Sequence, residues 1–77
     1  MEKDNPEEFL LFGLEHFEIE VVNHKDNMIY LRMDYVIEIE SNHLYKLLQD
    51  GQVIAPFNDV EELCRFIKMD MQLNEES

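Results

Sequence analysis

Apolar side chains recur at every second position from Phe17 to Val21 and again from Ile29 to Ile39. Phe17, Ile19 and Val21 alternate with Glu18, Glu20 and Val22, the period of a half-buried strand. Asn23–Asn27 is polar and turn-prone. Alternation then resumes, with Ile29, Leu31, Met33, Tyr35, Ile37 and Ile39 at odd positions, opposite Tyr30, Arg32, Asp34, Val36, Glu38 and Glu40. Because the phase never slips, residues 28–40 read as one long strand, bent near Asp34. A two-residue hairpin there would reverse the parity; a three-residue turn at Arg32–Asp34 would preserve it and is the alternative. The five-residue loop 23–27 sets a register with Val21 opposite Ile29, Ile19 opposite Leu31 and Phe17 opposite Met33 on one face. On the other face Glu18 falls opposite Arg32.

Ser41-Asn42 is the next turn, and His43–Gln49 the next strand. Asp50-Gly51 is a two-residue hairpin signal. The chain returns through Val53, Ile54 and Ala55 to Pro56, which ends that strand or marks it as an edge. Ahead of the strands, Asp4-Asn5-Pro6-Glu7-Glu8 reads as a helix start, with a capping side chain, proline in the first turn and acids at the positive end of the dipole. Phe9–Phe12 continue that helix and Gly13 is placed to stop it. Behind them, Asn58 and Glu61 have the spacing of a capping box, and Val60, Leu63, Cys64, Ile67 and Met71 form a helical stripe. The expected fold is a single α+β domain. A short helix and lead-in occupy 1–15, an antiparallel meander of about four strands 16–56, a helix packed on one sheet face 58–72, and a frayed tail 73–77.

Seventy-seven residues bury only about 60–65% of their unfolded surface, so the core is thin. Cys64 is the only cysteine, which leaves no disulfide and no zinc spacing. The N-terminal stretch lacks the basic start and long apolar run of a secretory signal, and no stretch approaches a membrane span, so the cytosol is the expected compartment. Charge changes the picture most. Eighteen Asp and Glu oppose six Lys and Arg, a formal net charge of −12, where a magnitude of about 2–8 suffices for solubility. The basic residues are scattered, which disfavours direct binding of nucleic acid or anionic membrane and favours a protein partner with a basic surface.

No chemistry-bearing motif stands out. His16, His24 and His43 sit at a strand start and beside two turns, without the spacing of a metal pair. Cys64 lies within an apolar helical stripe rather than in a basic, exposed setting, so it reads as a core residue. Glu18/Glu20 and Glu38/Glu40 are paired carboxylates, yet alternating Glu is also how the solvent side of a strand looks. Two glycines and no GK[ST] exclude a phosphate loop. The expectation is therefore a non-enzymatic chain with no catalytic residues, no metal and no cofactor.

Two surface features remain. Glu7, Glu8, Glu15, Glu18, Glu20, Glu38 and Glu40 could form an acidic stripe from the first helix across the outer sheet face. Carboxylates at alternate strand positions lie about 6.6 Å apart, near the phosphate spacing along a nucleic-acid strand. In the expected register Val22, Met28, Tyr30, Val36, Tyr45, Leu47 and Ile54 also fall on the outer face, with Tyr30, Tyr45, Val36 and Leu47 as apolar anchors for a partner. In size and charge the chain resembles small phage-encoded inhibitors, such as anti-restriction and anti-CRISPR proteins, some of which imitate nucleic acid. No residue motif is shared, so no site residues carry over. The leading expectation is a binding module that blocks a nucleic-acid-binding protein by presenting carboxylates to its basic groove. The alternative is self-association, as a homodimer through the outer sheet face or an edge strand.

Overall fold

In the computed structural model, which describes residues 6–41 and 44–76, the chain runs helix, five strands, helix. Asp4 and Asn5 of the expected N-cap, Asn42 and His43 of the third connection, and Ser77 lie outside the described residues. Helix α1 spans Pro6–His16, with Glu7 and Glu8 in its first turn. Gly13 does not stop it. The helix closes at Glu18, whose φ of 61° is left-handed. The Glu18 N–H donates to the Glu15 carbonyl at 2.9 Å, and the Ile19 N–H donates to the Leu14 carbonyl at 2.8 Å. These are the two bonds of a Schellman close, and its usual apolar partners, Leu14 and Ile19, are both buried. The alternation from Phe17 to Glu20 is therefore a helix terminus and its exit, not a strand. Gly13 has a different use: a Cβ there would stand 2.5 Å from Val60 Cγ1 on the second helix.

Strands β1 (Val21–Lys25), β2 (Met28–Leu31), β3 (Tyr35–Ser41), β4 (Leu44–Gln49) and β5 (Gln52–Phe57) form one antiparallel sheet in chain order. The count is five rather than four because 28–40 is two strands, joined by a three-residue turn at Arg32–Asp34. Pairing of Ile29 with Ile37 and Tyr30 with Val36 keeps the odd positions on one face, as a three-residue turn must. The first hairpin corrects the expected register. Val21 pairs with Leu31, His24 with Ile29 and Lys25 with Met28, and Val22 is bulged out. The loop shortens to Asp26-Asn27 because Asn27 is held by β3: its carbonyl accepts from the Ile39 N–H at 2.8 Å, and its Nδ2 donates to the Ile39 carbonyl at 3.0 Å. Arg32 meets Glu20 at 3.9 Å rather than Glu18.

The β3–β4 pairing overturns a second expectation. A two-residue turn at Ser41-Asn42 would set Tyr45 opposite Glu38. Instead the register shifts between Ile39 and Ser41, so Tyr45 faces Ile39, Lys46 faces Glu38 and Leu47 faces Ile37. Tyr45 and Leu47 consequently point inward, 3% and 0% exposed, and are not outer-face anchors. Asp50 (φ 57°) and Gly51 (φ 80°) close the last hairpin with the left-handed pair that a tight turn between twisted strands requires. Pro56 sits in β5, an edge strand, where no neighbour needs its missing N–H.

Helix α2 spans Val60–Glu76, beyond the expected end at 72, and Asp59 rather than Asn58 immediately precedes it. Its stripe of Val60, Leu63, Cys64 and Ile67 is buried against Leu10 and Leu14 of α1 and against Ile29, Ile37 and Leu47 of the sheet. Both helices thus lie on the same sheet face. The hydroxyl of the buried Tyr35 donates a hydrogen bond to the Asp70 carboxylate of α2, and His24 of β1 pairs with Glu7 of α1.

Candidate functional site

With both helices on one side, no element among the described residues covers the other side of the sheet. Cross-strand pairing builds its rows directly. One row runs Asn23–Tyr30–Val36–Leu48–Val53, and the next runs Lys25–Met28–Glu38–Lys46–Pro56. Tyr30, Val36 and Leu48 are half-buried, and cross-strand pairing sets them side by side on this face. The Tyr30 hydroxyl donates to the Met28 sulfur at 3.6 Å, which lays the ring along the sheet. Tyr30 and Val36, expected as anchors, are on this face; Leu48 joins them in place of Tyr45 and Leu47.

At one end of the face the first row sinks into a shallow hollow of about 570 Å³. Val22, Tyr30 and Val36 contribute apolar surface to it, and Asp34 and Asp50 stand at the two hairpin turns that bound it. None of the described residues that line it is basic. The two turns are tied together: the Asp50 N–H donates to the Asp34 carbonyl at 3.4 Å, and Gln49 Nε2 donates to the Met33 carbonyl at 3.2 Å. Asp34 and Asp50 both hold left-handed backbone, φ 64° and 57°, a conformation that Asp and Asn tolerate better than most residues. In the sequence these two acids read only as bend and turn residues. Their signal was their position, one at each of two hairpins that the meander brings to the same end.

The seven glutamates of the expected acidic stripe separate into groups. Glu7 and Glu8 are on α1, on the helix-covered side, with Glu7 paired to His24. Glu15, Glu18 and Glu20 surround a second hollow, of about 400 Å³, beside Leu11, Ile19 and Val21. Glu18 and Glu20 are not alternate strand positions, since both precede β1. Glu38 and Glu40 are alternate positions on the outer face of β3, but Lys46 lies with them. Its Nζ is 2.9 Å from Glu40, and the Glu40 hydrogen bond, the Glu40 charge and then Glu38 hold its pKa above the usual lysine value.

Among the described residues no charged or polar side chain is buried, and no three His, Cys, Asp or Glu side chains converge on a metal-sized position. The Cys64 thiol is fully buried; desolvation first, and the Asp59 charge second, push its pKa up to about 11. A thiol so protonated is a poor nucleophile at neutral pH. No helix among the described residues is long and apolar enough to cross a membrane. No family model matches the chain, and no curated protein or solved structure is significantly similar to it.

Proposed function

We propose that this chain is a non-enzymatic binding module whose open sheet face docks a protein partner presenting basic side chains. One observation carries the reading: the hollow at the end of that face has apolar surface from Val22, Tyr30 and Val36, carboxylates at Asp34 and Asp50, and no basic residue among the described residues that line it. A lysine or arginine fits such a place, its methylene stem on the apolar surface and its charge toward the rim. The net charge of −12 favours the same partner at long range. A protein that binds nucleic acid through a basic groove is one partner of this class. The carboxylates, split between faces and partly matched by Lys46, do not form the evenly spaced ladder that imitation of phosphates would use, so displacement of nucleic acid is a result to measure rather than a premise. Pairing through sheet edges is opposed by the bulge at Val22 in β1 and by Pro56 in β5.

The test is affinity capture with the whole chain at two salt concentrations, followed by titration of each purified binder. Asp34→Asn with Asp50→Asn removes the rim charge while keeping residues that accept the left-handed turns, and Tyr30→Ala removes apolar surface. Each change is expected to weaken the complex at least tenfold, with steep loss of affinity as salt rises. Lys46→Gln, which frees Glu38 and Glu40 of their counter-charge, is expected to strengthen it. Binding that ignores Tyr30→Ala and the double Asn variant alike would remove this face from the account.

A further inference from the structure

A second groove, separate from the open sheet face, lies where the two helices cross. It lies along α1 against the first turn of α2, has a volume of about 420 Å³, and is walled by Phe9, Phe12 and Phe17. Phe9 and Phe12 are 61% and 69% exposed, although each is large and apolar. Their three-residue spacing puts both on one side of α1, and neither belongs to the core. The groove follows from Gly13. With no side chain there, α1 settles directly on Val60, and the phenylalanines on either side stand up as walls with nothing between them. Its volume is within the range that holds a few side chains.

The rim decides what fits. Asp59 and Glu61 flank the groove, and among the described residues that line it only His16 can carry a positive charge. Glu61 is shared with Arg65 one turn along, while Asp59 has no basic partner among the described ion pairs. A second copy of this chain would bring Asp59 and Glu61 against themselves across a two-fold axis, between two bodies that each carry a charge of −12. We infer that the groove takes an amphipathic helix of a partner protein, its apolar ridge seated between Phe9, Phe12 and Phe17 and its lysines or arginines beside Asp59 and Glu61. A groove between helices receives an apolar ridge in this way, with anchors three and four residues apart.

Two labelled 14-residue helical peptides test this, sharing a leucine ridge and differing only in carrying lysine or glutamate on the polar side. Fluorescence anisotropy with the full chain is expected to show binding of the lysine peptide alone. Phe9→Ser with Phe12→Ser touches only exposed rings, and its circular dichroism and melting temperature are expected to match the parent. That variant should weaken the lysine peptide at least tenfold, and the Asp34→Asn, Asp50→Asn variant should change it less than twofold. The second comparison keeps this site distinct from the sheet face, because either can fail alone. No binding of the lysine peptide, equal binding to the phenylalanine variant, or equal binding of the glutamate peptide would overturn the assignment. So would a dimer in sedimentation equilibrium that the phenylalanine changes dissolve, since a second copy would then be the occupant.

Discussion

Gly13→Ala sets two magnitudes against each other at one position. Within an α-helix, replacing glycine by alanine stabilises by about 1 kcal/mol, because the unfolded chain loses freedom it no longer has to give up. At Gly13 the added Cβ would lie 2.5 Å from Val60 Cγ1, against about 3.5–4.0 Å for relaxed carbon atoms. Val60 begins α2, is buried and is β-branched, so it has few rotamers with which to yield. Overpacking of this kind costs about 1–3 kcal/mol. The clash is expected to win, leaving Gly13→Ala less stable by up to about 2 kcal/mol in urea denaturation followed by circular dichroism. Val60→Ala removes the offending methyl. The atom next in line is then Cys64 Sγ at 3.6 Å, an ordinary contact. In the double variant the alanine at 13 should recover its helical gain, so the two changes together should cost about 1–3 kcal/mol less than their sum. If Gly13→Ala alone is neutral or stabilising, the close helix crossing is wrong, and with it the origin proposed for the aromatic groove.

Other predictions read different parts of the fold. Glu18→Gly places glycine where the Schellman close needs a left-handed residue, and is expected to stabilise by about 0.5–1 kcal/mol; a loss in the same urea assay would contradict that helix end. Cys64 gives a pH dependence. Its folded pKa of about 11 exceeds the unfolded value near 9, so the folded state holds this proton more tightly. The associated stability is complete below about pH 9 and is lost as pH rises to about 11, a fall of about 2–3 kcal/mol to which Tyr45, raised by burial and then by Asp59, adds in the same direction. Cys64→Ala should make that decline shallower, and the native thiol should resist a disulfide reagent at pH 8 until urea unfolds the chain.

Much of the architecture is legible in the sequence. The odd-position alternation through Ile29, Leu31, Tyr35, Ile37 and Ile39 marks the buried sheet face, and the stripe of Val60, Leu63, Cys64 and Ile67 marks the helix that covers it. What escapes reading is where the backbone turns left-handed without glycine to announce it. Glu18, Asp26, Met33 and Asp34 all do so. Met33 and Asp34 fold one apparent strand into two, and because their turn has three residues the alternation carries straight through. Glu18 converts an apparent strand start into a helix end. Gly13 misleads in the opposite sense: it looks like punctuation and is a contact. The site suffers from the same cause. One register shift after Ile39 moves Tyr45 and Leu47 into the core and puts Leu48 on the outer face, and no residue type in the connection signals it.

A sheet whose spatial order is its chain order can assemble as the chain is made, each strand finding its neighbour already in place. The half-built protein is nonetheless exposed until the end. Ile29, Ile37 and Leu47 share a face with Leu63, Cys64 and Ile67, which arrive only with α2. During synthesis the growing meander, which Leu10 and Leu14 of α1 cover only in part, therefore shows the ribosome's surroundings an oily slope until α2 completes the roof, so a chain stopped before Val60 is the form most in need of a chaperone.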